Sequence, residues 1–286
     1  MIVAAPDYRD FVLQHWLDWR REGERCALLT LVVAHGGSPR PVGSQMAVCE
    51  DGRHVGLISG GCIEKALVLD AIAAIERGEN HTERYGEGSR FVDLRLPCGS
   101  GIDIAFDVGL EMAAVEAVVS ARAARREAVL ETGGFRRVYM PALRLVVVGQ
   151  GPIMTAAMQF AMGLEMEAVA FSPDLDTLVV LQGLGFDARP LEAYDGVAFD
   201  RHTAVLTLFH DHDHEAQVLA RAVASEAFYV GALGSRRAQA MRLERLAALG
   251  DAAMRIRGPV GLDIGARTPP EIALSALAEI VQCYRQ

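Results

Sequence analysis

The stretch LRLVVVGQGPIMTAAMQFAM, residues 143–162, carries the pattern that decides the fold of the second half of the chain. Its first part, residues 143–148, is rich in β-branched and aliphatic residues and predicts a buried strand. Gly149-Gln150-Gly151 then predicts a tight turn, and Pro152 suits the first position of a helix over residues 152–162. A strand that enters a helix through a glycine turn is typical of a Rossmann-like βα unit.

Strand and helix patterns continue to alternate beyond this unit. Apolar runs predict strands at residues 167–171, 204–208 and 227–230, and helical periodicity predicts helices at 174–184, 213–225 and 236–249. Near the C-terminus, Thr268 and Glu271 have the spacing of a capping box that opens a helix over residues 272–284. This alternation predicts a doubly wound parallel sheet.

The first half has a different α/β pattern. Helices are predicted at residues 7–21, 63–77 and 111–126, and strands at 26–34, 45–49, 54–58, 91–96 and 102–106. Asp51-Gly52 predicts a hairpin turn between two of these strands, and Gly133-Gly134 predicts another hairpin. We place a domain boundary between Gly133 and Leu143, which gives domains at residues 1–138 and 139–286.

Composition excludes several classes of protein. The chain has 286 residues, 51% hydrophobic and 23% charged, and its net charge of −9 argues against a nucleic-acid partner. No apolar run is long enough to span a membrane, and the first residues lack a signal-peptide pattern, so we expect a cytoplasmic protein. The five cysteines form no CxxC pair, which argues against a disulfide framework or a structural zinc site.

The glycine- and proline-rich loop after the first strand is a candidate anion-binding segment. Glycines expose backbone donors, prolines restrict the chain, and an arginine provides a fork that matches phosphate oxygens. The candidate contacts are Gly36, Gly37, Ser38, Arg40 and Gly43. A plain surface loop is the alternative interpretation.

Two further loops in the first half carry a thiol. Ser59, Gly60, Gly61 and Cys62 precede a predicted helix, whose N-terminus favours a thiolate, although Glu64 acts in the opposite sense. The alternative is that Cys62 is a small buried residue in a packed turn. Cys98 and Gly99 lie in a second glycine loop. Two thiols in loops of one domain that favour anion binding suggest sulfur chemistry or binding of a soft metal.

Candidate site residues of the second half follow predicted strands, namely Gly149, Gly151, His210, Asp211, Gly234, Ser235 and Arg236. Ligands bind at the carboxyl ends of parallel strands, so these loops should converge, and we expect one crevice to receive loops from both halves. The alternation of histidine and aspartate from His210 suits a metal site or a solvated loop with Asp213 capping a helix.

Dinucleotide binding is a weaker interpretation of the second half. Met154 stands where the third glycine of a G-x-G-x-x-G turn would lie, and the second strand ends in Ser172 instead of an acidic residue. NAD(P) is therefore not expected, and an NAD(P)-dependent oxidoreductase is kept as the alternative function.

Five segments together resemble the XdhC/CoxI family of accessory proteins for molybdenum hydroxylases. They are GGSPRPVGSQMAV (36–48), ISGGCIEKAL (58–67), PCGSGIDI (97–104), YVGALGSRR (229–237) and PVGLDIGARTPPEIALSALAEIV (259–281). The resemblance implies an N-terminal XdhC/CoxI-type α/β domain followed by a Rossmann-like domain.

The resemblance also implies a role as a chaperone of the molybdenum cofactor (molybdopterin, with or without a nucleotide). Such a protein would hold and protect the cofactor while a sulfurtransferase of the cysteine desulfurase type adds sulfur. It would then deliver the cofactor to a xanthine dehydrogenase-type molybdenum hydroxylase. A homodimer is expected, and Cys62 or Cys98 could meet molybdenum or sulfur.

Overall fold

The computed structural model describes residues 9–38, 40–90, 101–209 and 214–286. The chain divides into two compact units, Met1–Pro141 and Ala142–Gln286. Each unit has its own sheet and its own apolar clusters.

The first unit is built on a five-stranded antiparallel sheet in the order β3-β2-β1-β5-β4, beside a separate β6–β7 hairpin. Its strands are β1 (Cys26–His35), β2 (Gln45–Cys49), β3 (His54–Gly56), β4 (His81–Gly86), β5 (Gly101–Asp107), β6 (Ala128–Thr132) and β7 (Phe135–Tyr139). Its helices are α1 (Leu13–Arg21), α2 (Glu64–Arg77) and α3 (Met112–Ala123).

Alternation along β1 gives this sheet two buried faces. Ala27, Leu29 and Leu31 pack into the apolar cluster that contains the inner face of α2. Cys26 and Leu28 belong to the opposite cluster, which α1, α3 and the β6–β7 hairpin cover. Successive side chains of a strand point to opposite faces, so a nearly continuous apolar run is what a strand buried on both sides requires.

The second unit is a six-stranded parallel sheet in the order β10-β9-β8-β11-β12-β13. Its strands are β8 (Arg144–Gly149), β9 (Glu167–Ser172), β10 (Ala188–Pro190), β11 (Thr203–Leu208), β12 (Tyr229–Ala232) and β13 (Ile256–Arg257). Its α-helices are α4 (Pro152–Gly163), α5 (Leu175–Gly183), α6 (Glu215–Val223), α7 (Arg236–Arg245) and α8 (Pro269–Arg285), with 3₁₀ segments at Leu191–Gly196 and Ala247–Arg255.

The strand order confirms the predicted doubly wound, Rossmann-like sheet. The chain leaves β8 toward β9 on one side and later returns to β11 on the other side of β8. In such folds, ligands bind at the carboxyl ends of the strands where the order reverses, which are β8 and β11 in this sheet.

Several predicted bounds need correction. The first helix starts at Leu13 and not at residue 7, and the strand predicted at 54–58 ends at Gly56. The helix predicted over 236–249 ends at Arg245, and a 3₁₀ segment follows it, interrupted at Gly250 with a φ of 57°. The strand predicted at 227–230 lies two residues later, at Tyr229–Ala232.

Some predictions have no counterpart to compare. The strand predicted at 91–96 lies outside the described residues.

In the described part of the chain, no helix is both long and apolar enough to cross a bilayer.

Candidate functional site

The loop between β1 and β2, residues 36–44, is held at its C-terminal end by the β6–β7 hairpin. Gly43 has a φ of 93°, which favours glycine, and its N–H donates to the carbonyl of Leu31 at 2.8 Å. From β7, Nη1 of Arg137 donates to the carbonyl oxygen of Gly43 at 2.6 Å and to Oε1 of Gln45 at 2.7 Å. The loop therefore returns to the sheet in a fixed conformation.

A buried polar network supports this anchor. The Gln45 side chain donates to Oγ1 of Thr30 at 3.0 Å and accepts from the hydroxyl of Tyr139 at 2.7 Å. Burial raises the pKa of the Tyr139 hydroxyl, so it stays a neutral donor. Arg137, Gln45 and Tyr139 were not among the predicted site residues.

Positive charge and unpaired donors are concentrated at the middle of the loop. Nη2 of Arg40 forms an ion pair with Asp10, while Nε of Arg40 and Oγ of Ser38 are buried with no hydrogen-bond partner in the described chain. Arg40 also lies close enough to Arg137 for the two guanidinium groups to repel each other. We call Ser38, Arg40 and Arg137 the Arg40 cluster.

The Arg40 cluster has the chemistry of an oxyanion site. Buried polar atoms are nearly always hydrogen-bonded in proteins, so orphaned donors call for a ligand or water. Guanidinium groups only donate hydrogen bonds, and the Ser38 hydroxyl can donate as well, so these groups can bind an incoming oxygen. Gly36 and Gly37 are exposed beside it, and no atom lies within 4 Å of where a Cβ of Gly37 would be.

A second polar cluster lies where β1 ends beside the adjoining strands. Asp103 accepts from Nε and Nη2 of Arg84 at 2.6 and 3.0 Å, and its Oδ2 lies 3.0 Å from Nε2 of His35. The hydrogen bond from Arg84 holds the pKa of the Asp103 carboxyl below its ordinary value. These three residues come from separate strands; His35 stands beside the glycine-rich loop, Asp103 lies within the segment 97–104, and Arg84 belongs to none of the quoted motifs.

The loop before α2 presents Cys62 to solvent. Cys62 is exposed, so the alternative of a buried cysteine in a packed turn is wrong. Helix α2 begins at Glu64, two residues later, with Ile63 at its N-cap. Gly60 and Gly61 have φ values of 80° and 102°, and the space around Gly61 is open.

Ser59 has a supporting position in the same loop. Its N–H and hydroxyl donate to the Glu64 carboxylate at 2.7 and 2.5 Å, and its oxygen accepts from the N–H of Ile63 at 3.0 Å. Burial opposes ionisation of Glu64, but these hydrogen bonds outweigh it and lower the pKa of the carboxyl. Ser59 is buried, and its polar groups fix the turn that presents Cys62.

Four predicted site residues lie outside the described residues: Cys98, Gly99, His210 and Asp211. Among the residues that are described, no group of three or more His, Cys, Asp or Glu side chains could hold a metal ion. Helix α6 begins at Glu215 with His214 at its N-cap position, and Asp213, which was predicted to cap this helix, lies outside the described residues.

The glycine turn after β8 is tightly constrained. A Cβ at Gly149 would lie 2.5 Å from the carbonyl oxygen of Leu208, which only glycine avoids. Gly151 has a φ of 87° and caps α4, and its N–H donates to Oγ1 of Thr177 at 3.2 Å. Thr177 in turn donates to Asp174 at 2.6 Å. One backbone donor of the turn is thus already satisfied within the protein.

The turn after β12 is exposed to solvent, in contrast to the constrained glycine turn after β8. Gly234, Ser235 and Arg236 are exposed, and Oγ of Ser235 caps α7 by accepting from the N–H of Ala238 at 3.2 Å. In the next turn of α7, Arg242 makes a buried ion pair with Glu215 at the start of α6, at 2.8 Å. This pair, which the sequence analysis did not identify, ties together the helices that follow β11 and β12.

The C-terminal motif has a structural role at its capping box. Oε2 of Glu271 accepts from the N–H groups of Thr268 and Arg267 at 2.9 and 2.7 Å, as predicted for the start of α8. The backbone hydrogen bond from Thr268 lowers the pKa of the Glu271 carboxyl. Farther along α8, Glu279 accepts from the Tyr229 hydroxyl at 2.6 Å and from the N–H of Gly261 at 2.8 Å.

Comparison with known families matches both units. A model described as the XdhC Rossmann domain matches residues 145–280, and one described as the XdhC and CoxI family matches residues 19–86. The second unit is accordingly a Rossmann-type domain with the fold and strand-end glycine turns described above. The chain belongs to the XdhC and CoxI family, as its motifs predicted.

Individual relatives agree with this assignment. The chain is 32% identical over 302 residues to the molybdenum cofactor insertion chaperone PaoD of Escherichia coli, covering 96% of this chain and 88% of the relative. It is 24% identical to a protein of Bacillus subtilis that is described as a probable xanthine dehydrogenase component, covering 92% and 94%. A crystal structure described as a xanthine dehydrogenase from Bacillus halodurans has the same fold, with a TM-score of 0.80, 22% identity and coverage of 96% and 95%.

Proposed function

We propose that this protein binds the molybdenum cofactor, holds it during sulfuration and delivers it to a xanthine dehydrogenase-type molybdenum hydroxylase. The observation that carries the proposal is the Arg40 cluster, in which Ser38 and Arg40 lie within the matched family segment and each has a buried polar atom without a partner in the described chain. The related protein from Escherichia coli is named a molybdenum cofactor insertion chaperone. A pterin cofactor with a phosphate group matches the donors of this loop.

The residues fit the cofactor in two respects. Ser38, Arg40 and the exposed amides of Gly36 and Gly37 would hold a phosphate, because all of them donate hydrogen bonds. The exposed thiol of Cys62 is a soft ligand and a nucleophile of the kind that suits molybdenum or its terminal sulfur. When bound, the cofactor would supply the redox-active metal, and the protein would hold it in place.

In the second unit, the predicted contacts are Gly149, Gly151 and the exposed turn Gly234–Ser235–Arg236. These residues stand at the carboxyl ends of β8 and β12 or directly after them. Arg236 is exposed at the first position of α7. We propose these positions as further cofactor contacts.

Three observations favour this function over an NAD(P)-dependent oxidoreductase. Met154 is fully buried in the apolar cluster where a third glycine would allow close helix packing. The N–H of Gly151, a donor that a pyrophosphate would use, is bonded to Thr177. Ser172, at the end of β9, is buried and accepts from the N–H of Asp174, so it leaves no acidic group for a ribose.

The partners follow from the same proposal. A cysteine desulfurase-type sulfurtransferase would supply the sulfur, and a molybdenum hydroxylase would receive the cofactor, all in the cytoplasm. We also propose a homodimer, supported by apolar side chains on α5 that are unusually exposed, Leu175 at 75% and Val179 at 67%. Sedimentation of Val179→Glu beside the native protein tests the dimer, which a charge at this position should dissociate.

The experiment compares binding of the molybdenum cofactor with binding of the nicotinamide cofactors NADH and NADPH. The protein is purified from cells that make molybdenum cofactor, and its molybdenum content and ultraviolet–visible spectrum are measured. The same preparation is titrated with NADH and NADPH. Molybdenum with a pterin absorption and no nicotinamide binding supports the proposal. Nicotinamide binding without molybdenum would replace it with the oxidoreductase.

A further inference from the structure

The ion pair between Arg40 and Asp10 joins two groups with very different exposure. The Arg40 side chain is 27% exposed, whereas that of Asp10 is 58% exposed. The Asp10 carboxylate accepts a hydrogen bond from Nη2 of Arg40. Nε of Arg40 is buried and has no partner in the described chain.

The charges around Arg40 do not balance through the contacts that are described. Arg137 bonds to the carbonyl of Gly43 and to Gln45, both uncharged, and no carboxylate lies within ion-pair distance of it among the described residues. Asp10 is near enough to interact electrostatically with Arg137 as well as with Arg40. In the described part of the chain, the contacts and electrostatic interactions given for Arg40 and Arg137 thus include one carboxylate, that of Asp10, for two guanidinium groups.

We propose that Asp10 occupies an oxyanion site formed by Ser38, Arg40 and Arg137, and that a phosphate group displaces it. This inference deepens the proposed function, on which it rests, by naming a residue that competes with the phosphate group for this site. A carboxylate and a phosphate offer the same acceptor oxygens to a guanidinium fork. A phosphate dianion would balance both arginines, which one carboxylate cannot do.

The donors of the loop suit a phosphate group. No atom lies within 4 Å of where a Cβ of Gly37 would be, so the space beside this residue is open. Ser38 contributes a hydroxyl whose oxygen is buried, and Arg40 contributes Nε, both within three residues of Gly37. Backbone amides, a hydroxyl and guanidinium groups are the donors that phosphate groups use in proteins.

The test uses inorganic phosphate and pyrophosphate as probes. Each is titrated calorimetrically into the full chain at constant ionic strength. Asp10→Asn removes the competing charge. We expect this variant to bind both anions about 2- to 5-fold more tightly, because the anion no longer has to displace a partly exposed ion pair. Arg40→Ala should weaken binding at least about 5-fold. Asp18→Asn on α1 is the matched control and should bind as the native protein does.

The outcomes separate this inference from the proposed function. Unchanged or weaker anion binding by Asp10→Asn overturns the competition, as does equal tightening in Asp18→Asn. If Arg40→Ala does not fold, Arg40→Lys serves instead, because it keeps the charge but loses the fork. Molybdenum in the purified native protein, together with no anion binding by any variant, would retain the proposed function and reject this site for phosphate.

Discussion

Arg242 donates to both carboxylate oxygens of Glu215, from Nη2 at 2.8 Å and from Nε at 3.1 Å, with side chains 2% and 3% exposed. The same guanidinium donates to Gln239 and to the carbonyl of Leu233 in the turn after β12. Glu215 is the first residue of α6. The pair therefore fixes the helix after β11 against the turn after β12, where the candidate contacts Gly234 and Ser235 lie.

Breaking this pair should destabilise the protein strongly. Arg242→Met leaves a buried carboxylate without its partner, which costs about 3–5 kcal/mol. Chemical denaturation followed by circular dichroism measures the loss. Arg189→Ala is the control, because its ion pair with Asp187 is half exposed and should contribute at most about 1 kcal/mol. Equal losses in the two variants would show that the buried pair has no special role.

The double variant Glu215→Leu/Arg242→Met provides a second check. Replacing both charges with apolar groups of similar size removes the uncompensated carboxylate, so it should be more stable than Arg242→Met alone. A double variant that is less stable than the single variant would contradict this account.

Cys62 should react with alkylating agents faster than Cys26 and Cys283. Cys62 is exposed near the start of α2, whereas burial raises the pKa of the Cys26 thiol to about 12. Cys283 is partly buried on α8. Iodoacetamide labelling followed by mass spectrometry gives the rate at each cysteine. Labelling of Cys62 no faster than that of Cys283 would show that this loop does not make the Cys62 thiol more reactive.

Glu64 should give the cysteine loop a pH-dependent contribution to stability. Its folded-state pKa is lowered, so the stabilisation is present above about pH 4.5 and is lost as the pH falls through the folded-state value. At pH 7, Glu64→Gln should lower the free energy of unfolding by about 1–3 kcal/mol, because the hydrogen bonds from Ser59 are weakened.

The pH profile distinguishes this role from a general effect on α2. The difference between native protein and Glu64→Gln should shrink below about pH 4.5, whereas Glu76→Gln, exposed on the same helix, should show little difference at any pH. A difference that stays constant from acid to neutral pH would contradict the assignment.

The second unit should fold on its own. Residues 142–286 form a compact unit with a complete six-stranded sheet and two apolar clusters. Expressed alone, this segment should give a cooperative thermal transition. A folded but non-cooperative product would show that the unit depends on the rest of the chain for its packing.

The sequence predicts an element well when one strong local signal decides it. The apolar strands β8 and β11 and the capped helix α8 have such signals, and the structure confirms all three. Strand β4, with Glu83 and Arg84 among its residues, has no apolar run, and its pairing with β5 determines it. Helical periodicity continues beyond Arg245, but the positive φ of Gly250 interrupts the 3₁₀ segment that follows.

The candidate site likewise contains residues that a local sequence signal predicts and residues that only the fold brings together. The glycine loop and its Arg40 were identified from composition, because glycine, proline and arginine together carry a local signal. Asp10 and Arg137, which contact or face Arg40, lie 30 or more residues away in sequence. Nothing in the pattern of β7 marks Arg137 as an anchor, since charged residues of an edge hairpin usually face solvent. Only the fold brings these three charges together.

The most direct measurement is the affinity of Arg40→Ala for the molybdenum cofactor, beside that of native protein and of Arg189→Ala. Loss of a charge-assisted contact should weaken binding about 5- to 150-fold. The thermal transition should move little, because Arg40 lies in a loop. Cofactor affinity equal to that of the native protein, in a folded Arg40→Ala variant, would contradict the assignment of this loop as the phosphate site of the cofactor.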